Sequence, residues 1–297
     1  NDKAITTLPM SYSYGISIIN THLFMGASLI LTDSSIVEKS FWELITNYEV
    51  TTFGGVPYTY EILKKLNFKK IELPFLRYVT QAGGKLNFRL LDYYYRVCNE
   101  KQIDFIVMYG QTEASPRMSY LPSKMLKKKL GSIGGPIPGG KFYLIDESNQ
   151  IINDPDLEGE LVYEGDNVCL GYARNCNDLE SGDSNKGVLK TGDIAKVDSD
   201  GFCYITGRKK RFLKLFGNRV SLDQIEQKIN EAGYACACDG VDDQMVIYTE
   251  KESDQKKIIN FIKLNFDINK SWFSVIHINE IPRNDSGKIL YFKLGEN

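Results

Sequence analysis

Strand-like and helix-like segments alternate over residues 1–130 of the chain. Short apolar runs typical of buried strands are separated by stretches in which apolar residues recur at helical spacing, as Phe41, Ile45 and Tyr48 do. Such alternation predicts a mostly parallel sheet with helical crossovers. The predicted strands are 27–31, 51–53, 76–80 and 105–108, and the predicted helices are 41–48, 58–66 and 89–98.

The pattern changes near residue 131, where a run rich in glycine and proline covers residues 131–140. Short strands bounded by turn residues follow, and the segment from Asp198 to Gly201 is a good hairpin turn. Residues 131–207 are therefore predicted to form a small β-rich, barrel-like subdomain. Its predicted strands are 141–145, 159–163, 192–197 and 202–205.

A second alternation of strands and helices begins after the basic cluster 208–211. It predicts a separate C-terminal α+β domain over residues 208–297, with a linker near residues 207–211. The predicted fold class thus has two parts. The first is a core fragment that is α/β and β-rich and contains a partial parallel sheet. The second is the C-terminal α+β domain. The core covers residues 1–207, and the C-terminal strands and helices are 212–215, 221–232, 245–249, 256–264 and 275–278.

Composition narrows the functional classes. At about 150 residues per domain, a chain of 297 residues favours two domains. Lys and Arg total 36 against 38 Asp and Glu, a net charge of −2, which disfavours nucleic-acid or membrane-surface binding by the whole chain. The 2 histidines leave little room for a histidine-rich metal site. The 6 cysteines form no C-x-x-C pair, so reduced thiols in a cytoplasmic protein are expected. The apolar stretch 16–31 is interrupted by Asn20, Thr21 and His22, so no membrane span is expected.

The segment Tyr109-Gly110-Gln111-Thr112-Glu113 follows an apolar strand. A glycine at a strand end lets the backbone approach a ligand, and open α/β sheets bind ligands beyond the carboxyl ends of their strands. Thr112 offers a hydroxyl to a phosphate oxygen, Glu113 a hard oxygen ligand for Mg²⁺, and Tyr109 a flat face for a base. Taken alone, the segment is more typical of an ordinary turn and helix start.

Three further segments carry candidate chemistry, each with a plain alternative. Asp193 could hold ribose hydroxyls, although Thr191-Gly192-Asp193 alone is more typical of a turn between strands. The basic segment after Gly207 could be a solvated linker or, less well, a nucleic-acid patch, because apolar residues interrupt it. Lys288 could reach a substrate carboxylate as a point charge or be an ordinary loop lysine.

In order and spacing, these segments together resemble the adenylate-forming superfamily of acyl-CoA synthetases, nonribosomal peptide adenylation domains and luciferases. The resemblance covers essentially the whole chain. The main matching motifs are Tyr109-Gly110-Gln111-Thr112-Glu113, Gly131-Ser132-Ile133-Gly134-Gly135-Pro136, Thr191-Gly192-Asp193, Gly207-Arg208-Lys209-Lys210 and Pro282 to Gly287-Lys288. Lesser matches are Leu8-Pro9-Met10, Gly54-Gly55-Val56-Pro57, Ala82-Gly83-Gly84-Lys85 and Gly159-Glu160-Leu161.

The resemblance implies a two-step ligase reaction. A small carboxylic acid attacks the α-phosphate of ATP, with Mg²⁺, to give an acyl-adenylate and pyrophosphate. The thiol of CoA, or of a phosphopantetheine on a carrier protein, then displaces AMP. An acyl carrier protein is thus a possible partner under this resemblance.

The resemblance also implies a role for each matching residue. Gly83, Gly84 and Tyr109 would frame the adenine, Gly110 would also bind the nucleotide, and Thr112 would contact the α-phosphate. Glu113 would hold Mg²⁺. Asp193 and Arg208 would bind the ribose. Lys288 would neutralise charge in the first step. Lys210 would be the hinge about which the C-terminal domain moves, and Lys214 and Gly217 would face the pocket during thiolation.

The chain departs from the family pattern in three places. The phosphate-gripping loop, which precedes the Leu-Pro-Met motif in the family, is absent, so the N-terminal half of the catalytic domain is expected to be missing. The start at Asn1 without methionine is typical of a fragment. The missing segment would then come from the same protein or from a split partner. Tyr291 stands where the family often has a basic residue.

Substrate class is partly indicated. Amino-acid-activating members usually carry an aspartate near the first motif, and the stretch 10–15 has no acidic residue, so an amino-acid substrate is disfavoured. An acyl or aryl group of modest size is expected. The candidate pocket residues are Tyr14, Val56, Pro57, Tyr58 and Gly83.

We therefore predict an AMP-forming carboxylic acid ligase. The alternative is a noncatalytic nucleotide- or partner-binding module that keeps the fold without the ATP grip. Joint presence of Glu113, Asp193, Arg208 and Lys288 favours the enzyme, and absence of the phosphate loop favours the module.

Overall fold

A computed structural model describes residues 2–266, 268–284 and 287–295. The chain divides into two compact units. The first consists of the residues up to Thr191 together with Lys196–Tyr204. The second consists of Gly192–Ala195 together with the residues from Ile205 onwards. The sequence-based domain boundary at residue 207 stays a prediction. Among the described residues, no helix combines the length and the apolarity needed to cross a bilayer.

The first unit contains a seven-stranded sheet in the order β2-β1-β3-β4-β5-β6-β7. The first five of these strands pair in parallel, and β6 and β7 add antiparallel at one edge. Every residue of β3 is buried, as expected for a parallel strand covered on both faces. These strands are β1 (Lys3–Ile5), β2 (Ser28–Ile30), β3 (Thr52–Gly55), β4 (Tyr78–Gln81), β5 (Asp104–Tyr109), β6 (Ser119–Leu121) and β7 (Gly135–Pro136).

Four helices connect the parallel strands. Their apolar residues face the sheet. The largest core cluster includes a group of three contacting aromatic rings, in which the Tyr60 centroid lies 4.9 Å from that of Tyr94 and 5.2 Å from that of Phe105. The Tyr94 hydroxyl donates to the Tyr60 carbonyl at 2.6 Å, so the buried phenol is satisfied. The helices are α1 (Ser13–Phe24), α2 (Lys39–Asn47), α3 (Pro57–Lys65) and α4 (Phe88–Glu100).

The β-rich region forms a five-stranded sheet in the order β12-β11-β10-β8-β9. Strand β8 pairs antiparallel with both β10 and β9. This sheet corresponds to the predicted barrel-like subdomain, and its predicted strands are all present. The strands are β8 (Lys141–Ile145), β9 (Ile151–Ile152), β10 (Gly159–Glu164), β11 (Val188–Val197) and β12 (Cys203–Arg208).

Asp198 organises the predicted turn between β11 and β12. Its carboxylate accepts from the Lys129 ammonium at 2.8 Å, from the Tyr204 hydroxyl at 3.1 Å and from the Phe202 N–H at 2.9 Å. Burial alone would raise the pKa of Asp198, but Lys129 and these hydrogen bonds outweigh it and hold the pKa below its ordinary value of 3.8.

We expect Asp198→Ala to lower the free energy of unfolding by about 1 to 3 kcal/mol, because buried donors lose a charged acceptor. Since the folded pKa is depressed, the advantage of the wild type is present above pH 3.8 and is lost as the pH falls through the folded pKa. Denaturant unfolding of both proteins at neutral and acidic pH measures this. The control is Asp200→Ala, whose side chain is 68% exposed although it also pairs with Lys129. An equal loss from both variants would contradict the assignment.

The second unit contains the predicted C-terminal strands and helices. A three-stranded sheet in the order β15-β16-β17 packs with the helices around a core that includes Ile225, Ile247 and Ile258. The elements are the hairpin β13 (Phe212–Leu215) and β14 (Asn218–Ser221), helices α5 (Leu222–Glu231) and α6 (Gln255–Asn265), and strands β15 (Cys236–Val241), β16 (Gln244–Thr249) and β17 (Phe273–His277).

Arg211 is the centre of a buried polar network in the second unit. Its guanidinium pairs with Asp223 and, at 3.0 Å, with Glu226, and it stacks 3.6 Å from the ring centroid of Tyr291. Glu226 also accepts from the Cys238 N–H at 2.8 Å and from the Tyr291 hydroxyl at 2.9 Å. Burial raises the pKa of Glu226, whereas Arg211 and these two donors oppose the rise. The ionised carboxylate therefore depends on its partners.

Candidate active site

The carboxyl end of β5 leads into a loop that folds back on itself. A side chain at Gly110 is excluded, because a Cβ there would lie 1.4 Å from the carbonyl oxygen of Pro116. The Met118 N–H then donates to the Tyr109 carbonyl at 3.0 Å, and β6 begins. Close packing of the loop on its own backbone thus requires glycine at position 110, where the sequence predicts nucleotide binding.

Thr112 lies at the amino terminus of α1. Its hydroxyl oxygen is 2.9 Å from that of Ser13, the first residue of the helix, and Thr112 is exposed. The partial positive charge at a helix amino terminus favours an anion such as a phosphate. Ser13 was not predicted, since the two residues are far apart in sequence and only the fold brings them together.

Glu113 follows in the same short turn, Thr112–Ala114. Its carboxylate accepts from the Tyr172 hydroxyl, and its carbonyl accepts from the Cys169 N–H at 2.7 Å. The hydrogen bond to Glu113 raises the pKa of Tyr172 to about 12, and burial adds to the rise. The sequence gave no signal for Tyr172, which is 76% exposed.

A magnesium ion fits Glu113 only with help from other oxygen ligands. Among residues 2–266, 268–284 and 287–295, no group of three or more His, Cys, Asp or Glu side chains could hold a metal ion. Mg²⁺ usually keeps several waters and binds through one or two carboxylates plus substrate phosphates. A single carboxylate beside an anion-favouring helix terminus suits that mode.

Gly83 follows β4 and lies against the predicted acyl pocket. It has φ of +79°, and a Cβ there would lie 2.5 Å from the Tyr12 hydroxyl and 3.2 Å from Val56 Cγ1. A Cβ at Gly84 would lie 3.1 Å from Pro57 Cγ. The two glycines therefore let the backbone pass close to the segment at the start of α3.

Two other predicted pocket residues differ in exposure. Tyr14 is buried in α1, and its hydroxyl lies 2.6 Å from the Thr80 hydroxyl oxygen. It packs in one cluster with Val56. Tyr58 is 48% exposed. Its role in the pocket stays a prediction.

Gln111 contacts Thr191 within the first unit. Its Nε2 donates to the Thr191 carbonyl at 2.9 Å and to the Tyr109 hydroxyl at 3.4 Å. The Tyr109 ring meets the Phe142 ring edge-on, with 6.4 Å between centroids.

In the second unit, Asp193 and Arg208 form an ion pair. Arg208 Nε lies 3.2 Å from Asp193 Oδ1; the aspartate side chain is 5% exposed and the arginine 65%. The structure thus brings together the two residues predicted to bind ribose. The Arg208 N–H also donates to Asp223 Oδ2 at 2.9 Å, which fixes the end of β12.

The predicted hinge and thiolation residues lie in turns of the second unit. Lys210 is in the one-turn helix Lys209–Arg211 between β12 and β13. The Lys214 N–H donates to Asp242 Oδ1 at 2.7 Å, and Gly217 lies in the turn between β13 and β14. Their roles stay predictions.

Lys288 is exposed near the end of the second unit. Its N–H donates to Asn284 Oδ1 at 2.9 Å, and the Gly287 N–H donates to the Asn284 carbonyl at 2.8 Å. Asp285 and Ser286 of the same motif lie outside the described residues, as does Asn1. Tyr291, where the family often has a basic residue, stacks on Arg211.

A glycine-bearing strand end beside a helix terminus and a carboxylate is the arrangement of a nucleotide-binding α/β protein. The sequence model of a family described as "AMP-binding enzyme" matches residues 1–173 of the chain. The chain therefore belongs to the AMP-binding enzyme family.

Individual relatives are more distant. The chain is 25% identical over 305 residues to the oxalate–CoA ligase of Saccharomyces cerevisiae, covering 97% of this chain and 54% of the relative. It is 27% identical over 307 residues to the 2-succinylbenzoate–CoA ligase of Bacillus cereus, covering 98% of this chain and 60% of the relative. The chain thus spans little more than half the length of these two relatives.

Solved structures support the fold. The O-succinylbenzoate coenzyme A synthetase of Bacillus subtilis in complex with AMP superposes with a TM-score of 0.82 at 22% identity, covering 99% of this chain and 60% of that one. An amide bond synthetase of Marinactinospora thermotolerans gives 0.80 at 19% identity, covering 99% and 60%. At these identities the likeness concerns the fold alone.

Proposed function

We propose that this chain is the part of an AMP-forming carboxylic acid–CoA ligase that binds the nucleotide and carries the catalytic lysine. The observation that carries the proposal is the loop after β5. There, the exposed hydroxyl of Thr112 lies 2.9 Å from that of Ser13 at the start of α1. Membership of the AMP-binding enzyme family supports the same conclusion.

The proposed chemistry assigns one task to each part of the loop. Backbone around Gly110 admits the nucleotide, and the Thr112 hydroxyl together with the first N–H groups of α1 stabilises charge on the α-phosphate. Glu113 would hold Mg²⁺, which when bound supplies positive charge to the phosphates. Tyr172 holds the Glu113 carboxylate in place.

The second unit is proposed to supply the remaining groups. Asp193 accepts hydrogen bonds from the ribose hydroxyls, and Arg208, whose Nε lies 3.2 Å from Asp193 Oδ1, orients its carboxylate. Lys288 neutralises charge on the carboxylate and the α-phosphate in the first step. Lys210 serves as the hinge, and Lys214 and Gly217 serve thiolation.

CoA is the proposed thiol acceptor, because both relatives described above are CoA ligases by name. Their acids, oxalate and 2-succinylbenzoate, each carry two carboxyl groups. We propose the cytoplasm as the location, since all 6 cysteines are free thiols.

The test is carboxylate-dependent exchange of pyrophosphate into ATP by the intact protein, meaning this chain with whatever precedes or follows it. We expect exchange only when a suitable carboxylic acid is added, and formation of an acyl-CoA with AMP when CoA is present. Nucleotide binding without exchange for any acid would instead identify a noncatalytic binding module.

A further inference from the structure

The backbone of Arg117 lies beside the loop after β5. A Cβ at Gly110 would lie 3.2 Å from the Arg117 Cα, and the Arg117 carbonyl accepts from Asn167 Nδ2 at 3.0 Å. The next residue, Met118, donates its N–H to the Tyr109 carbonyl. The backbone of Arg117 is therefore fixed next to the proposed nucleotide loop.

The side chain of Arg117 reaches α1 without meeting an anion. Its Nη2 donates to the Thr21 hydroxyl oxygen at 3.4 Å, and the groups that act on its charge are the phenols of Tyr14 and Tyr78. Within the part of the chain that the structure describes, its Nε is buried and has no hydrogen-bond partner. Loss of water lowers the pKa of Arg117, although a guanidinium stays charged at neutral pH.

A buried guanidinium without an acid is unusual, because buried charges in proteins are ordinarily paired. No Asp or Glu among the described residues pairs with Arg117. Asp2, which approaches the Tyr78 hydroxyl at 3.5 Å, is already paired with Arg77 at 2.7 Å. By contrast, the similarly enclosed Arg211 is paired with carboxylates. Arg117 thus offers unused donors in the interior.

The guanidinium of Arg117 contacts α1, the helix that carries the predicted acyl-pocket residue Tyr14. Tyr14, a pocket residue, lies on α1 between Ser13, which contacts Thr112, and Thr21, which contacts Arg117. Thr21 lies eight residues after Ser13, which corresponds to about 12 Å along the helix axis. Arg117 therefore approaches α1 about two turns away from the proposed site of carboxylate activation.

We propose that Arg117 binds a second carboxylate of the acid substrate, at the end of the acyl pocket opposite the reacting carboxyl group. The proposal rests on the proposed ligase function and specifies its substrate class. That class is a dicarboxylic acid whose carboxyl groups are separated by several carbon atoms. Oxalate, in which the two carboxyl carbons are directly bonded, is too short to reach both places.

The chemistry of a guanidinium suits this role. Its planar fork can donate two parallel hydrogen bonds to one carboxylate, and such charge-assisted bonds are strong where water is excluded. The Thr21 hydroxyl oxygen accepts from Arg117 Nη2 at 3.4 Å and so contributes to positioning the guanidinium. An acid with an apolar end would leave the buried charge unpaired, which disfavours its binding.

The test compares a dicarboxylic acid with its own monomethyl ester in the exchange reaction of the intact protein. We expect the wild type to prefer the diacid, and Arg117→Gln to lower kcat/KM for the diacid by roughly 30-fold or more while leaving the ester unchanged or improved. Arg117→Lys keeps the charge and should restore part of the preference. Arg96→Gln, on exposed Arg96 of α4, is the matched control.

A second measurement uses only the wild-type protein, so it does not depend on whether a variant folds. Thermal unfolding of the wild type should shift upward with the diacid and ATP more than with the ester and ATP. Equal losses for diacid and ester in Arg117→Gln, or equal use of the two acids by the wild type, would overturn the proposal while leaving the ligase function in place. Exchange with no carboxylic acid at all would overturn both.

Discussion

Replacing Lys288 with alanine is expected to lower carboxylate-dependent ATP–pyrophosphate exchange by the intact protein by about 100- to 1000-fold. In the proposed first step, negative charge moves from the attacking carboxylate to the α-phosphate. An ammonium placed there stabilises the transition state more than the bound substrates, so its loss mainly lowers kcat.

The matched control is Lys293→Ala, five residues further along the same exposed segment, where Lys293 lies 5.9 Å from the Phe292 ring centroid. This variant should exchange normally. Transfer of the acyl group from preformed acyl-adenylate to CoA should survive in Lys288→Ala and depend instead on Lys210 and Gly217. Unchanged exchange in Lys288→Ala would remove Lys288 from the first step.

Glu226→Ala is expected to lower the free energy of unfolding of the second unit by about 3 kcal/mol or more. The substitution takes one carboxylate from Arg211 and the acceptor from both the Cys238 N–H and the Tyr291 hydroxyl. Breaking a buried ion pair from one side costs more than the pair itself contributes, because the groups left behind stay out of water.

Denaturant unfolding followed by circular dichroism measures the loss from Glu226→Ala. The Cys238 N–H donates to Oε2 of Glu226 and the Tyr291 hydroxyl donates to Oε1. Glu226→Gln keeps an acceptor for one of these two donors, whereas Glu226→Ala keeps none, and we expect a smaller loss from Glu226→Gln. The control on the same helix is Glu231→Ala, because the one hydrogen bond to its carboxylate among the described residues comes from Gln227 Nε2, at 2.7 Å. Equal stability of Glu226→Ala and Glu231→Ala would contradict the network assigned to Arg211.

Elements with a clear period could be predicted from sequence. Strand β3, helix α4 and helix α5 lie within a few residues of their predicted bounds, because each combines an apolar repeat with turn or cap residues at its ends. The Asp198 turn was predicted for the same reason. The residues within and next to these elements are enough to predict them, whereas the fold determines which other elements they pack against.

Helix α1 was missed, and the reason is physical. Polar residues at its centre resembled a break, but in the structure they bond back along the helix: the Thr21 hydroxyl donates to the Ser17 carbonyl at 2.8 Å, and the Ser17 hydroxyl to the Tyr14 carbonyl at 2.8 Å. Such bonds satisfy hydroxyls within a helix without any periodic signal in the sequence. Strand β15 was missed as well, since its Ala237, Asp239 and Gly240 have little strand propensity.

The sequence could predict the site residues that lie within motifs, but it could not predict which distant residues contact them. Motif spacing identified Thr112, Asp193 and Arg208, and the structure joins Asp193 to Arg208 directly. Ser13 and Tyr172 could not be found, because each meets its partner through a long-range contact. The unpaired Nε of Arg117 likewise depends on the folded environment, which a sequence motif does not report.

The stacking of Arg211 on Tyr291 has a mechanical consequence. Arg211 is one residue after Lys210, and Tyr291 is three residues after Lys288. A rotation of the backbone at the proposed hinge, Lys210, would therefore move the segment that carries Lys288 directly, because the stacked side chains of Arg211 and Tyr291 connect the two segments. Under the roles proposed for Lys210 and Lys288, loosening this stack would release the Lys288 segment from the hinge segment without altering either lysine.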